Sequence, residues 1–230
     1  MWPFTKKYSL ADSGIFQGFI DWHSHILSGV DDGVRTMDEA LDVLAIYEKL
    51  GVKAVWLTPH IMEDVPNTTA HLKERFEELR AAYKGSVRLR LSAEYMLDNL
   101  FRQRITCNDL LPLGEKGDRL LVETSYYNPP ANFYGLLERI KAAGYYPVLA
   151  HPERYAYMER KDYHNLKEAG VKFQLNLPSL SGFYGTVTQE KARWLQEEGM
   201  YDFTGTDTHG MKMLQTCLAG KIKYKPLIDV

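Results

Sequence analysis

Short apolar runs recur along the chain, and almost every one ends in a residue with chemistry to offer. Phe19-Ile20-Asp21-Trp22 leads into His23 and His25, Val52 to Leu57 leads to His60, and Val87 to Ala93 stops at Glu94. Arg119 to Val122 runs into Glu123, and Tyr146 to Ala150 into His151. Val171 to Leu175 runs into Asn176, and Asp202 to Gly205 toward Asp207 and His209. Such runs, rich in β-branched and aromatic residues and bounded by polar, Gly or Pro positions, read as strands. Between them the apolar spacing turns helical. Leu41, Leu44, Ala45 and Tyr47 continue to Leu50, with Gly51 as a C-cap and Thr36 and Glu39 as a capping box at the start. Gly144, Gly170 and Gly199 close later helices shortly before the next strand.

Strands that alternate with helices pair in parallel, in an open doubly wound sheet or a closed barrel. An open sheet gathers its ligands at one switch point, whereas a barrel brings every strand end to one mouth. Chemistry sits on all of these strand ends but the one at Asn176. The expected fold is therefore α/β, a (β/α)7 barrel.

Composition changes this picture little. The 230 residues are 45% hydrophobic and 25% charged, enough for one large core. A net charge of −2 supplies no field to draw the chain onto nucleic acid or anionic lipid. Lys221, Lys223 and Lys225 read as a small solvated basic tail. Two cysteines, Cys107 and Cys217, are too few for a disulfide framework. There is no apolar run long enough for a membrane span and no signal-peptide h-region, so the expected setting is cytoplasmic.

The histidine clusters carry the functional argument. Asp21-x-His23-x-His25, Thr58-Pro59-His60, His151-Pro152-Glu153-Arg154 and Asp207-x-His209 combine imidazoles with carboxylates, a donor set that suits divalent first-row metals. His23 and His25 are two residues apart, so in an extended segment both rings face one side. Glu94 and Glu123 each follow an apolar strand, where a charge is costly to bury without a partner. Asp31 and Asp32 lie in a Gly-rich loop beyond His25, and spacing does not choose between them. His71 and His164 fall in polar helical stretches and read as surface residues. Arg154, so near His151, offers a fork that matches phosphate oxygens and points to an anionic substrate. A cysteine phosphatase is excluded, because neither Cys107 nor Cys217 is followed six residues later by arginine. No Gly-rich Walker loop is present.

Together these motifs resemble the polymerase-and-histidinol-phosphatase (PHP) superfamily. Within it, His23-Ser24-His25, Gly29-Val30-Asp31-Asp32-Gly33 and His-Pro-Glu-Arg resemble the bacterial metal-dependent protein-tyrosine phosphatases tied to capsular and exopolysaccharide synthesis. The resemblance runs from about residue 19 to 215. It implies a distorted barrel of the PHP type with two to three divalent ions (manganese, iron or zinc). The implied ligands are His23, His25, Asp32, His60, Glu94, Glu123, His151, Asp207 and His209, with Arg154 on the phosphate. It implies as substrate a phosphotyrosine protein, a bacterial tyrosine kinase that regulates polysaccharide synthesis. After Thr-Pro-His the family often continues with further His or Asn, whereas Ile61-Met62-Glu63 follow here, which bears on recognition by this loop.

Residues 1–18 then form an N-terminal extension to a phosphatase domain spanning 19–230. Trp2, Pro3, Phe4 and Ile15-Phe16 give the extension apolar groups to pack on the barrel or on a neighbouring subunit. The expected chemistry is attack by a metal-activated hydroxide, with Arg154 holding developing charge. Asp207 or His209 assists the leaving group where not committed as a ligand. Tyr126 and Phe183, in loops after the fourth and sixth strands, are placed to border a substrate groove. The alternatives are a small-molecule phosphatase of the histidinol-phosphate kind, an exonuclease-like phosphodiesterase, and an inactive metal-binding interaction module. The oligomeric state is open.

Overall fold

Parallel strands curl around a small apolar plug, with helices packed outside. The structure is a computed structural model and describes residues 7–223. Its elements run β1 (Lys7–Ser9), β2 (Ile20–Ser24), α1 (Met37–Leu50), β3 (Ala54–Leu57), β4 (His60–Ile61), α2 (Thr69–Ala82) and β5 (Arg88–Leu91). There follow β6 (Glu94–Met96), α3 (Asn99–Cys107), β7 (Arg119–Glu123), α4 (Phe133–Ala142), β8 (Tyr146–Ala150) and α5 (Arg160–Glu168). The chain continues through β9 (Lys172–Asn176), α6 (Leu177–Ser181), α7 (Thr186–Glu197), β10 (Phe203–Gly205), α8 (Met211–Ala219) and β11 (Lys221–Lys223).

The sheet order is β2-β3-β5 in one part and β10-β9-β8-β7-β6-β4 in the other, all parallel. The strands expected at 52–57 and 87–93 form as β3 and β5, and each is followed by a second, short strand. Pro59 and the Ser92-Ala93 pair intervene, so His60 and Glu94 begin fresh strands, β4 and β6, which pair with each other. The circle closes between first and last strands. Ser24 bridges Thr208, the His25 amide donates to the Thr208 carbonyl at 3.0 Å, and the Asp207 amide donates to that of His23 at 2.8 Å. Gly205 permits this approach, since a Cβ there would lie 2.5 Å from the Cβ of His23.

The plug consists of Trp56, Leu113, Leu121, Val148, Ala150 and Phe203, joined by Ile20 and Trp22. Trp22 stacks on Trp56 with ring centroids 5.8 Å apart and meets Phe203 at 4.9 Å. Leu121, Val148 and Phe203 each contribute roughly 1.5–3 kcal/mol by leaving water. A second, larger apolar layer lies between the barrel and its helices and includes Val43, Leu44, Leu136, Ile140, Leu166 and Leu195.

Two local expectations need correction. Thr36 does cap α1, accepting from the Glu39 amide at 3.2 Å, but the capping box is half made. The Glu39 carboxylate instead accepts from the amides of Met211 (3.0 Å) and Arg35 (3.3 Å), because the open N-terminus of α8 lies beside it. Nor do Lys221 and Lys223 form a loose tail: they lie in β11, paired antiparallel with β1. The Lys-Ile-Lys alternation has the period of a strand, and Ile222 between them is buried. Leu10 and Phe16 of the N-terminal stretch are buried in the larger apolar layer, and Phe16 meets Phe19 edge-on at 5.6 Å. Trp2, Pro3, Phe4 and Lys225 lie outside the described residues.

Asp202 secures the start of β10. Its carboxylate accepts from the Phe173 amide at 2.9 Å, Lys167 Nζ at 2.5 Å and Lys172 Nζ at 3.0 Å. Burial works against the charge, but these donors prevail and hold the carboxyl below its ordinary value. A depressed folded-state pKa means stability that is present above the unfolded value near 4 and lost as pH falls through the folded one. Asp202→Asn is therefore expected to cost about 1 kcal/mol at pH 7, after solvent screening. The difference from wild type should close below about pH 4. Denaturant titrations at pH 7 and pH 3.5 check this, and a gap that persists unchanged at the lower pH contradicts it.

Candidate metal centre

The C-terminal rim of the barrel gathers all nine residues expected as ligands into one continuous set of donors. Four overlapping groups have donor atoms within 4.8 Å of one another: His25, Asp32, His60 and His209; His23, His25 and Asp207; His23, Glu94 and His151; and His60, Glu94 and Glu123. Glu94 is the hub. Its Oε2 lies 3.1 Å from His23 Nε2, 3.3 Å from His25 Nε2 and 3.2 Å from His60 Nδ1, while its Oε1 lies 3.1 Å from His151 Nε2.

Local backbone devices aim these side chains. The ladder between β2 and β3 slips between Asp21 and Ser24, so that Trp22 enters the plug while His23 and His25 turn to the rim. A one-residue slip exchanges the faces of a strand. Ala150 faces the plug, so an extended His151 would point away from it. Its left-handed backbone (φ 33°, ψ 54°) turns the ring back among the donors. Asp207 is left-handed as well, at φ 54°. Neither residue is glycine, and strain of this kind collects at functional positions.

Hydrogen bonds fix the ring tautomers. Asp31 Oδ2 lies 2.8 Å from His25 Nδ1, Gln174 Oε1 lies 2.7 Å from His23 Nδ1, and the Asp207 carbonyl lies 2.8 Å from His209 Nδ1. Each partner is an acceptor, so Nδ1 carries a hydrogen and Nε2 is the nitrogen turned toward the cluster. Gln174 is oriented in turn by donating from Nε2 to the Leu175 carbonyl at 2.5 Å. This separates the two loop aspartates. Asp31 is a support that also accepts from the His60 amide at 3.0 Å, and Asp32, with its side chain 73% exposed, faces His60 and His209 at 3.6 and 3.5 Å.

The electrostatics are those of a site that wants cations. Burial would push the His23 imidazole down, but Glu94 and Asp207 overcome it and hold it up at about 9. Burial would raise the Glu94 carboxyl, yet His23, His151 and His25 keep it well below its ordinary value. Asp32 is lowered to about 2, chiefly by His209. Even so, His60 Nδ1, Glu94 Oε2 and Glu123 Oε1 are buried and make no hydrogen bond. They converge on one point, with His60 Nδ1 3.2 Å from the first oxygen and 3.1 Å from the second. Unsatisfied buried carboxylates facing an imidazole nitrogen are costly in a protein interior and normal around a divalent ion. These residues fit divalent metal ions.

Arg154 stands over this cluster. Its Nη1 donates to Asp207 Oδ2 at 2.9 Å, and its Cζ lies 4.3 Å from the ring centre of Tyr126 and 4.2 Å from that of Tyr184. Burial works against its charge, but Asp207 and the surrounding acids keep it protonated. Phe183, 39% exposed, lines a shallow cavity of about 450 Å³ with His209, Lys212 and Met213. His71 and His164 are exposed on α2 and α5, away from the donors.

A family model described as capsular polysaccharide synthesis, CpsB/CapC, matches residues 19–223. The chain belongs to the CpsB/CapC family. Among curated relatives, tyrosine-protein phosphatase YwqE of Bacillus subtilis (strain 168) is 27% identical over 200 residues, covering 84% of this chain and 78% of its own. Tyrosine-protein phosphatase CpsB of Streptococcus pneumoniae is 28% identical over 212 residues, covering 84% and 83%. One solved chain superposes with a TM-score of 0.78 at 25% identity, covering 85% of this chain and 81% of that one. It belongs to crystal structures of YwqE from Bacillus subtilis and CpsB from Streptococcus pneumoniae, described as unique metal-dependent tyrosine phosphatases. The CpsB/CapC chain thus has the PHP-type fold expected of it.

Sequence reasoning missed several supporting residues of this CpsB/CapC site. Gln174 and Asn176 alternate along β9 as His23 and His25 do along β2, and two polar side chains on one face of a buried strand were the available signal. Asn176 Nδ2 donates to Asp207 Oδ2 at 2.8 Å. Glu153, the acid of His-Pro-Glu-Arg, is buried and accepts from the Asn176 amide (3.0 Å), Ser179 Oγ (2.8 Å) and Tyr201 OH (3.0 Å). Of the Phe183-Tyr184 pair, whose loop is expected at the barrel mouth, it is Tyr184 that reaches Arg154.

Proposed function

We propose that this chain is a metal-dependent protein-tyrosine phosphatase. Its metals are two to three divalent ions held by His23, His25, Asp32, His60, Glu94, Glu123, His151, Asp207 and His209. The observation that carries the reading is Arg154, fixed by Asp207 beside a buried ring of unsatisfied metal donors and flanked by two tyrosines. Divalent ions supply Lewis acidity, screening phosphate oxygens and lowering the pKa of a water molecule toward about 7. The chain's own residues do the rest. Nδ1–H bonds hold His23, His25 and His209 with Nε2 turned inward. Arg154, with Nη1 committed to Asp207, presents its remaining edge to the phosphate and opposes the charge that grows in the transition state. The tyrosine phenolate, with a pKa of about 10, leaves with less help from a proton donor than an alkoxide needs.

The substrate assigned is phosphotyrosine on a protein, and the capsule-associated names of the relatives support a bacterial tyrosine kinase of polysaccharide synthesis as its bearer. Phe183 and Tyr126 border the entry. A cytoplasmic setting is supported by two free cysteines and by the lack, among the described residues, of any helix long and apolar enough to cross a membrane. Phosphotyrosine peptides are expected to be hydrolysed with kcat/KM at least about tenfold above phosphoserine peptides and histidinol phosphate, the scale of one well-made contact. Steady-state assays of the three substrates side by side test this. A preference for histidinol phosphate would transfer the assignment to a small-molecule phosphatase.

A further inference from the structure

Arginine is a long, flexible side chain, and a phosphate ligand gains from it only if the guanidinium waits in place. We infer that Tyr184, Tyr126 and Asn176 form a clamp that orients Arg154, which makes Tyr184 and Asn176 positioning residues. The inference rests on the phosphatase reading above. Two loops meet at one guanidinium. Tyr126 comes from the loop after β7, and its ring leans on those of His151 (5.7 Å) and Tyr155 (6.2 Å). Tyr184 comes from the loop after α6 and is braced edge-on by Phe183 at 4.9 Å. Their ring centres lie 4.3 and 4.2 Å from Arg154 Cζ, within the range at which a cation is attracted to an aromatic face.

Asn176 joins the pieces. Its Nδ2 donates both to Asp207 Oδ2 (2.8 Å) and to Tyr184 OH (3.3 Å), and Asp207 Oδ2 also receives Arg154 Nη1 (2.9 Å). One amide therefore ties the carboxylate that holds the arginine to the ring that covers it. With the rings against the guanidinium and Nη1 committed to Asp207, the Nε and Nη2 edge remains for two phosphate oxygens. The arrangement also makes the arginine depend on two surface loops that carry no metal donor.

A double-mutant cycle on the metal-loaded full chain tests the clamp, with 4-nitrophenyl phosphate as substrate. Tyr184→Leu is expected to lower kcat/KM about tenfold with metal content unchanged, and Tyr184→Phe to recover most of the loss. In an Arg154→Ala background, Tyr184→Leu should change kcat/KM by less than about twofold, because the group it positions is gone. Tyr126→Leu, run in parallel, follows the same pattern and stands in if Tyr184→Leu does not fold. The inference is overturned if either leucine variant leaves kcat/KM within about twofold of wild type, or if its loss is undiminished in the Arg154→Ala background. A wild-type protein that does not hydrolyse the ester at all would refute the phosphatase reading instead. The clamp is then judged by calorimetric titration with inorganic phosphate. Tyr184→Leu weakening phosphate binding only while Arg154 is present supports it, and equal weakening in both backgrounds overturns it.

Discussion

Glu94→Gln is expected to strip metal from the protein and to lower phosphatase turnover by about 10³-fold, the upper scale for removing one preorganised charged group. Its two oxygens meet four imidazoles: one faces His23, His25 and His60, and the other faces His151. The substitution keeps the shape and removes the charge. Gln cannot balance two cations at once, and its amide hydrogens would face imidazole nitrogens that already have places to fill. Elemental analysis beside turnover of an aryl phosphate decides the matter. A glutamine variant with wild-type metal and wild-type turnover would remove Glu94 from the centre.

For Arg154→Ala the two readouts should part company. Metal content stays near wild type, since Arg154 reaches the cluster only through Asp207 Oδ2 and not through Oδ1, the oxygen that faces His23 and His25. Turnover falls by about 10²-fold, the loss that follows removal of one donor aimed at developing charge. Arg154→Lys should recover part of this, because an ammonium restores charge without the planar fork. An alanine variant as active as wild type would return Arg154 to a structural role.

The strand-and-helix alternation was legible because the strands are short, apolar and closed by polar residues, and a charged group after such a run signals a site. That logic selected Glu94 and Glu123 from 30 acidic residues. What it could not see was how the backbone turns. The slip between Asp21 and Ser24 and the left-handed conformations of His151 and Asp207 leave no local trace, because tertiary contacts impose them. The same holds for Asp31, whose Asp-Asp-Gly setting reads as ordinary turn chemistry until His25 and the His60 amide are found against it. Pairing of β1 with β11 joins distant parts of the chain, and only the Lys-Ile-Lys alternation hinted at it.

The seam between β2 and β10 sets an order of events. As the chain is synthesised, His23 and His25 emerge early, while Asp207 and His209 come among the last residues of the barrel. Two imidazoles alone make a weak and undiscriminating chelator, which favours whichever ion stands highest in intrinsic affinity, copper above zinc or manganese. Asp207, which adds an oxygen donor to this pair, reaches them only when the last strand docks and its amide finds the His23 carbonyl. An ion at this corner of the site would therefore be fully ligated only after barrel closure. Full ligation there would follow folding, the reverse of a zinc finger, in which the ion drives folding.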